Sequence, residues 1–137
     1  MTEESLVRFE QKGTITIGVV HAASVLDAMN VNQFGESLLA HVKQHPGIKL
    51  LLDFSRVDYL SSAVLTELLK VDQACKETSG HLRLCSLNPD IRKVFEITNL
   101  DKHFVIYKDA ERGVANFLRS LEVEASEEAW AKVNKRE

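Results

Sequence analysis

Residues 48–63 read Ile-Lys-Leu-Leu-Leu-Asp-Phe-Ser-Arg-Val-Asp-Tyr-Leu-Ser-Ser-Ala, and they decide the fold. Ile48–Phe54 is almost continuously apolar, which predicts a central strand covered on both faces, as in a parallel sheet. Apolar side chains then recur at helical spacing from Ser61 to about Thr78, which predicts an amphipathic helix. Residues 53–63 thus leave the carboxyl end of a central strand, where parallel sheets meet ligands and partners.

The flanking segments continue this alternation of strands and helices. In chain order we predict strands 6–10 and 14–20 joined in a hairpin, a loop at 21–30, a helix at 32–44 capped by Asn32, a strand at 81–87, a helix opened by Asn88 and ending at Ile97, a strand at 103–107, and a helix opened by Asp109. The order is β-β-α-β-α-β-α-β-α. It predicts an α/β fold with a mixed, mostly parallel sheet of about five strands and four helices.

The length of 137 residues fits one domain. We expect this domain to cover residues 5–121. Residues 122–137 form a charged tail that would continue the last helix, dock through Trp130, or fray. The 17 basic and 20 acidic residues give a net charge of −3, so no basic footprint for nucleic acid or for an anionic membrane is expected.

Other features argue for a cytoplasmic protein. The first residues, Met1–Glu4, lack the positive charge and apolar run of a secretory signal, and no stretch is long and apolar enough to span a membrane. The two cysteines, Cys75 and Cys85, are expected to be reduced and buried. No phosphate-binding glycine loop occurs, and no cofactor is expected.

His41 and His45 have the i, i+4 spacing that two metal ligands on one helix could use. A zinc site needs a third ligand and usually a fourth, and no cysteine pair stands at ligand spacing. We therefore expect solvated histidines near a helix C-terminus, where positive charge is favourable. No metal site is predicted.

Three interpretations of Ser61 and Ser62 follow from their place before a helix. Both could serve only to cap it, with the Ser61 hydroxyl accepting from a free backbone amide and the Ser62 hydroxyl facing solvent. One of the two serines could be phosphorylated, because a helix N-terminus tolerates an added phosphate. Nucleophilic catalysis is the third, although no G-x-S-x-G elbow surrounds the pair.

Residues 51–63 resemble the signature of STAS domains in the anti-sigma factor antagonist family: an apolar strand, Asp-Phe-Ser, a valine, and a serine pair. Residues 87–95 with Thr98-Asn99-Leu100, and residues 104–111, resemble later segments of the same family. Val25-Leu26-Asp27 resembles the Leu-Asp of its second loop. The element order agrees from about Leu6 to Leu121.

The resemblance implies that the domain is a binding module and not an enzyme. Unmodified antagonists of this kind bind an anti-sigma factor that is also a serine kinase of the histidine-kinase-like ATPase fold. Phosphorylation releases them, and a serine phosphatase resets them. By resemblance, Ser62 is the phosphorylated serine and Ser61 its neighbour. The expected partner-binding residues are Asp27, Asp53, Ser55, Tyr59, Leu60, Ser61 and Ser62.

Two positions depart from the family pattern. Leu60 stands where the family has an aspartate, and Ala63 stands where it has a glycine. We expect Leu60 to remove a carboxylate beside the acceptor serine and to add exposed apolar surface. Tyr59 and Leu60 would then form a contact patch, or alternatively pack under the loop as core. The loss of the aspartate also leaves open a constitutive STAS scaffold subunit that does not switch at Ser62.

Overall fold

The computed structural model describes residues 6–21, 25–26 and 30–135, with side chains excluded at 25–26 and 123–135. The elements in chain order are β1 (Val7–Lys12), β2 (Ile15–Val20), β3 (Val25–Leu26), α1 (Val31–Gln44), β4 (Lys49–Asp53), β5 (Tyr59–Leu60), α2 (Ser62–Glu77), β6 (His81–Cys85), α3 (Pro89–Ile97), β7 (Ile106–Tyr107) and α4 (Ala110–Lys135).

The main sheet has five strands in the order β1-β2-β4-β6-β7. β1 and β2 form an antiparallel hairpin, and every other pair in this sheet is parallel. The predicted α/β class, with four helices on a mixed and mostly parallel sheet, is therefore confirmed. β3 and β5 form a separate two-stranded parallel sheet that the sequence did not predict.

β4 is covered on both faces, as its apolar run predicted. Leu50 and Leu52 belong to the larger core under α1 and α2, whereas Leu51 belongs to a smaller cluster that includes Phe117 of α4. Leu50, Leu51 and Leu52 are all fully buried. This central strand therefore holds the two layers together and fixes the position of the loop that follows it.

Several predicted boundaries differ from the structure for local reasons. Asn32 does not cap α1, because the carbonyl of Asn30 already accepts from the amide of Phe34 at 3.0 Å and Asn32 lies exposed in the first turn. Residues 21–30 are not all loop, since β3 lies within them. The last strand is shorter than predicted, because the amides of Lys102 and His103 bond back to Asn99 and Leu100 in turns.

The cysteines behave as small buried side chains. Cys75 and Cys85 are free, fully buried thiols, as expected. Burial raises the pKa of each thiol to about 12, so both stay protonated near neutral pH. Cys75 lies on the buried face of α2 in the larger core, and Cys85 lies on β6 in the smaller cluster with Phe117, so both contribute to packing.

The last helix extends into the charged tail. α4 runs from Ala110 to Lys135, and Asp109 precedes it with its carboxylate accepting from the amide of Arg112 at 2.8 Å. The described backbone continues the helix through Lys135, whereas the expected docking of Trp130 concerns a side chain outside the described residues. Within the described part of the chain, no helix has the length and apolar character needed to cross a membrane.

Candidate functional site

The candidate site is the loop that joins the carboxyl end of β4 to the start of α2. The Asp53 carboxylate accepts from the Ser55 amide at 2.9 Å, which turns the chain as it leaves the strand. The Phe54 amide bonds to the Cys85 carbonyl at 3.1 Å, and Phe54 and Val57 are buried. The loop is therefore anchored to the sheet while Ser55 and Arg56 remain exposed.

β5 gives the second half of the loop an extended backbone. Tyr59 and Leu60 pair with Val25 and Leu26 of β3. Side chains alternate sides along a strand. Tyr59 is 57% exposed, and Leu60 is 2% exposed and joins the larger core.

The expected exposure of Leu60 is therefore wrong. An apolar side chain at this position of β5 packs inward, where an aspartate would be costly to bury. Each of the two alternatives for the pair describes one residue: Tyr59 lies at the surface, and Leu60 packs in the core. The side chain of Leu60 is not available as part of a contact patch.

The two serines occupy different environments at the start of α2. Ser61 is the N-cap residue, with an extended backbone, and its carbonyl accepts from the Val64 amide at 3.0 Å. Its hydroxyl makes no capping bond, contrary to expectation, and its Oγ is buried with no hydrogen-bond partner in the described part of the chain. Ser62 is the first helical residue and is exposed, as predicted.

Asn88, which precedes α3, anchors the same loop through hydrogen bonds of its side chain. Its amide nitrogen donates to the carbonyls of Val57 and Asp58 at 3.3 and 3.1 Å, while its Oδ1 accepts from the Ile91 amide at 2.8 Å and caps α3. The capping role was visible from Asn88-Pro89 in the sequence. The tether to a loop 30 residues earlier was not, because no local pattern encodes it.

All the predicted site residues lie within residues 53–62, except for Asp27, which lies outside the described residues. Among the described residues, no group of three or more His, Cys, Asp or Glu side chains could hold a metal ion. His41 and His45 instead stack on each other, with ring centroids 4.2 Å apart, and His41 stacks on Phe9. The half-buried, stacked His41 departs from the expectation of a solvated pair.

Comparison of the sequence with known proteins finds a matching family and a curated relative. The STAS domain family model matches residues 7–113. The chain belongs to the STAS domain family. A curated relative from Bordetella bronchiseptica, named "Putative anti-sigma factor antagonist BtrV", is 34% identical over 97 residues, which cover 71% of this chain and 83% of the relative.

Solved STAS structures share the fold at low sequence identity. An anti-sigma factor antagonist domain protein from Planctomyces limnophilus has a TM-score of 0.76 and 22% identity, covering 82% of this chain and 97% of that one. Unphosphorylated SpoIIAA has a TM-score of 0.69 and 17% identity, covering 83% of this chain and 96% of that one. Phosphorylated SpoIIAA from Bacillus has a TM-score of 0.61 and 17% identity, covering 80% and 97%.

Proposed function

We propose that this STAS domain is an anti-sigma factor antagonist that binds an anti-sigma factor when Ser62 is unmodified and is released when Ser62 is phosphorylated. Support comes from family membership and from the relative named for this function. The fold is shared with SpoIIAA, whose structures include a phosphorylated form. The implied partner is a serine kinase of the histidine-kinase-like ATPase fold, with a serine phosphatase that resets the switch.

One observation carries the choice of Ser62 over Ser61. The Ser62 side chain is exposed at the first residue of α2, whereas the Ser61 Oγ is buried. A kinase must reach the hydroxyl that it modifies. The phosphate would sit at the N-terminus of a 16-residue helix, where the helix dipole and free amides tolerate negative charge. The domain would remain folded while its binding surface gains negative charge.

The partner-binding surface that we propose comprises the exposed part of the loop. Tyr59 supplies an aromatic ring that is 57% exposed beside the switching serine, as expected of a contact residue. Asp53, Ser55 and Ser61 shape the loop, Leu60 supports it from the core, and Asp27 remains a proposed member by family resemblance. A phosphate on Ser62 would weaken binding here by repulsion and by the cost of its desolvation.

The test is binding of the purified protein to its candidate anti-sigma kinase. Ser62→Ala is expected to retain binding and to lose ATP-dependent phosphorylation, whereas Ser62→Asp is expected to weaken binding by tenfold or more, on the order of 1.4 kcal/mol. Thr66→Asp is the matched control, because Thr66 is exposed on the same helix about one turn away. Equal affinities of Ser62→Ala and Ser62→Asp would overturn the proposal.

A constitutive scaffold subunit is the second candidate, favoured by Leu60. The apolar, buried side chain leaves no carboxylate beside Ser62 at the position where the family pattern has one. Peptide mass spectrometry of the protein from its native cells separates the two functions. Phosphate on Ser62 under any growth condition supports the switch, and its absence under conditions that activate the pathway supports the scaffold.

We further propose a cytoplasmic, non-enzymatic domain over residues 5–121, with 122–137 as an accessory tail. The family match over residues 7–113 supports this division. Anti-sigma factor antagonists of this family are generally not enzymes. A serine-reactive phosphonate that labelled Ser62 would argue for a hydrolase instead.

A further inference from the structure

The main sheet has one long edge strand and one short one. β1 forms one edge over six residues, whereas β7 forms the other over only two. Within the described part of the chain, β2 is the one strand that pairs with β1. An edge strand presents backbone amides and carbonyls that a strand of another chain can bind. β1 is therefore the edge of this sheet that is long enough to accept a further strand.

The hairpin determines which backbone groups of β1 point outward. The amide of His21 donates to the carbonyl of Leu6 at 2.9 Å, which continues the antiparallel register of β1 and β2. Leu6 therefore belongs to a hydrogen-bonded pair, and such pairs recur at every second residue. Arg8 and Glu10 thus direct their backbone groups to β2. Phe9, between them, directs its amide and carbonyl away from the hairpin.

The side chains of β1 alternate between its two faces. Phe9 is half-buried, packs against the larger core and stacks on His41 of α1, with ring centroids 3.6 Å apart. Arg8 and Glu10 are exposed on the opposite face of the strand. The edge therefore carries an aromatic ring on one face, and a basic and an acidic side chain two residues apart on the other.

A second copy of β1 complements this edge in one antiparallel register. Opposed residues of antiparallel strands share one hydrogen-bonding phase, so a strand paired with its own copy across a two-fold axis centres on a residue and not between two. Centring on Phe9 places Arg8 of each chain opposite Glu10 of the other. Centring on Arg8 or on Glu10 would oppose like charges. Centring on Gln11 would bring the turn at 13–14 into the interface.

We propose that the chain forms a two-fold symmetric dimer through β1, which joins the two five-stranded sheets into one. The Phe9 amide of each copy donates to the Phe9 carbonyl of the other, and two Arg8–Glu10 pairs flank the axis. The two Phe9 rings meet on the opposite face, each with His41 of its own chain beside it. Aromatic and opposite-charge pairs of this kind stabilise antiparallel strands.

The assembly stops at two chains. The same edge is used by both copies, so the contact is isologous, and the dimer leaves only the two short β7 edges. The pairing includes none of residues 53–62, so the inference does not rest on the proposed function.

The test is sedimentation equilibrium of the full chain, 15.4 kDa, over a series from micromolar to millimolar concentration at low salt. We expect the average mass to rise toward twice that of the monomer. Arg8→Glu and Glu10→Lys each turn two attractive pairs into repulsive ones, so each should weaken dimerisation by tenfold or more. Both positions are exposed, so the variants should fold.

A mixture of the two variants tests the register itself. Pairing an Arg8→Glu chain with a Glu10→Lys chain restores both opposite-charge pairs, so the mixture should dimerise with about the wild-type affinity. Glu77→Lys is the matched control for Glu10→Lys, because Glu77 is exposed on α2 and the charge change is the same. This control should dimerise like the wild type.

Hydrogen exchange gives a second measurement. The Phe9 amide should gain protection as the concentration rises, whereas the Glu10 amide, which faces β2, should be protected at every concentration. Four outcomes would each overturn the proposal: a monomer at millimolar concentration, a dimer that both single variants retain, a mixture that dimerises no better than either variant alone, or a Phe9 amide whose protection does not depend on concentration.

Discussion

Tyr59 and Leu60 are consecutive residues with opposite environments. Tyr59 is 57% exposed and Leu60 is 2% exposed, because β5 turns one side chain to solvent and the next to the core. Leu60 therefore contributes to the core, whereas Tyr59 is available on the surface that we propose for partner binding. The serines that follow repeat this division, with the Ser61 Oγ buried and Ser62 exposed.

This division predicts different losses in two alanine variants. Leu60→Ala should lower the free energy of unfolding by about 2–5 kcal/mol, because it leaves a cavity in the core. Tyr59→Ala should change it by less than about 0.5 kcal/mol, as exposed positions do, while weakening binding to the anti-sigma kinase. Urea unfolding and a binding titration measure the two effects. Similar losses of stability in both variants would contradict the assigned environments.

At the scale of elements, the sequence predicted the eight longer segments better than the three two-residue strands. The run at Ile48–Phe54 and the pattern from Ser61 predicted β4 and α2 to within a residue or two. β3 and β5 were missed because two residues carry no periodicity, and they extend only because they pair with each other. The Ser62 environment was predictable from its place in the helix, whereas the Asn88 tether depends on tertiary packing.

The contact between α1 and β1 includes a histidine, so we expect its contribution to the free energy of unfolding to depend on pH. His41 of α1 stacks on Phe9 of β1, with ring centroids 3.6 Å apart. Burial first, and then the nearby His45, lower the pKa of His41 from its ordinary value of 6.5. Below pH 6.5 the unfolded chain therefore binds more protons at His41 than the folded chain does. The stability that the stacked, neutral His41 contributes is thus present above pH 6.5 and is lost as the pH falls.

We therefore expect His41→Phe to reduce the loss of stability on acidification. Phenylalanine keeps a ring for the stack on Phe9 and removes the titrating group. Urea unfolding at pH 7.5 and at successively lower values measures the slope in both proteins. A wild-type slope retained in His41→Phe would mean that other groups account for the pH dependence.

Across the whole molecule, the two faces of the sheet are covered unequally. The larger core includes side chains of α1, α2 and α3, whereas the other face is covered by α4, through Phe117 and a few partly buried neighbours. Phe117 is fully buried, and the Arg83 guanidinium lies 4.5 Å from its ring centroid. Gly113 lets α4 approach closely, because a Cβ there would lie 2.6 Å from Leu51. One helix therefore covers one face of the sheet, whereas three helices cover the other face.

A helix held by few buried contacts should open without unfolding of the rest. In native-state hydrogen exchange, amides of residues 113–121 should open at lower free energy than those of β4. Phe117→Ala should lower the α4 opening energy by about 3–5 kcal/mol, and the β4 value by less, because β4 keeps its packing against α2. Leu118→Ala is the control, since Leu118 is 36% exposed on the same helix and should cost little. Equal losses in α4 and β4 would show that α4 opens only when the whole domain unfolds, and that the two faces form one cooperative unit.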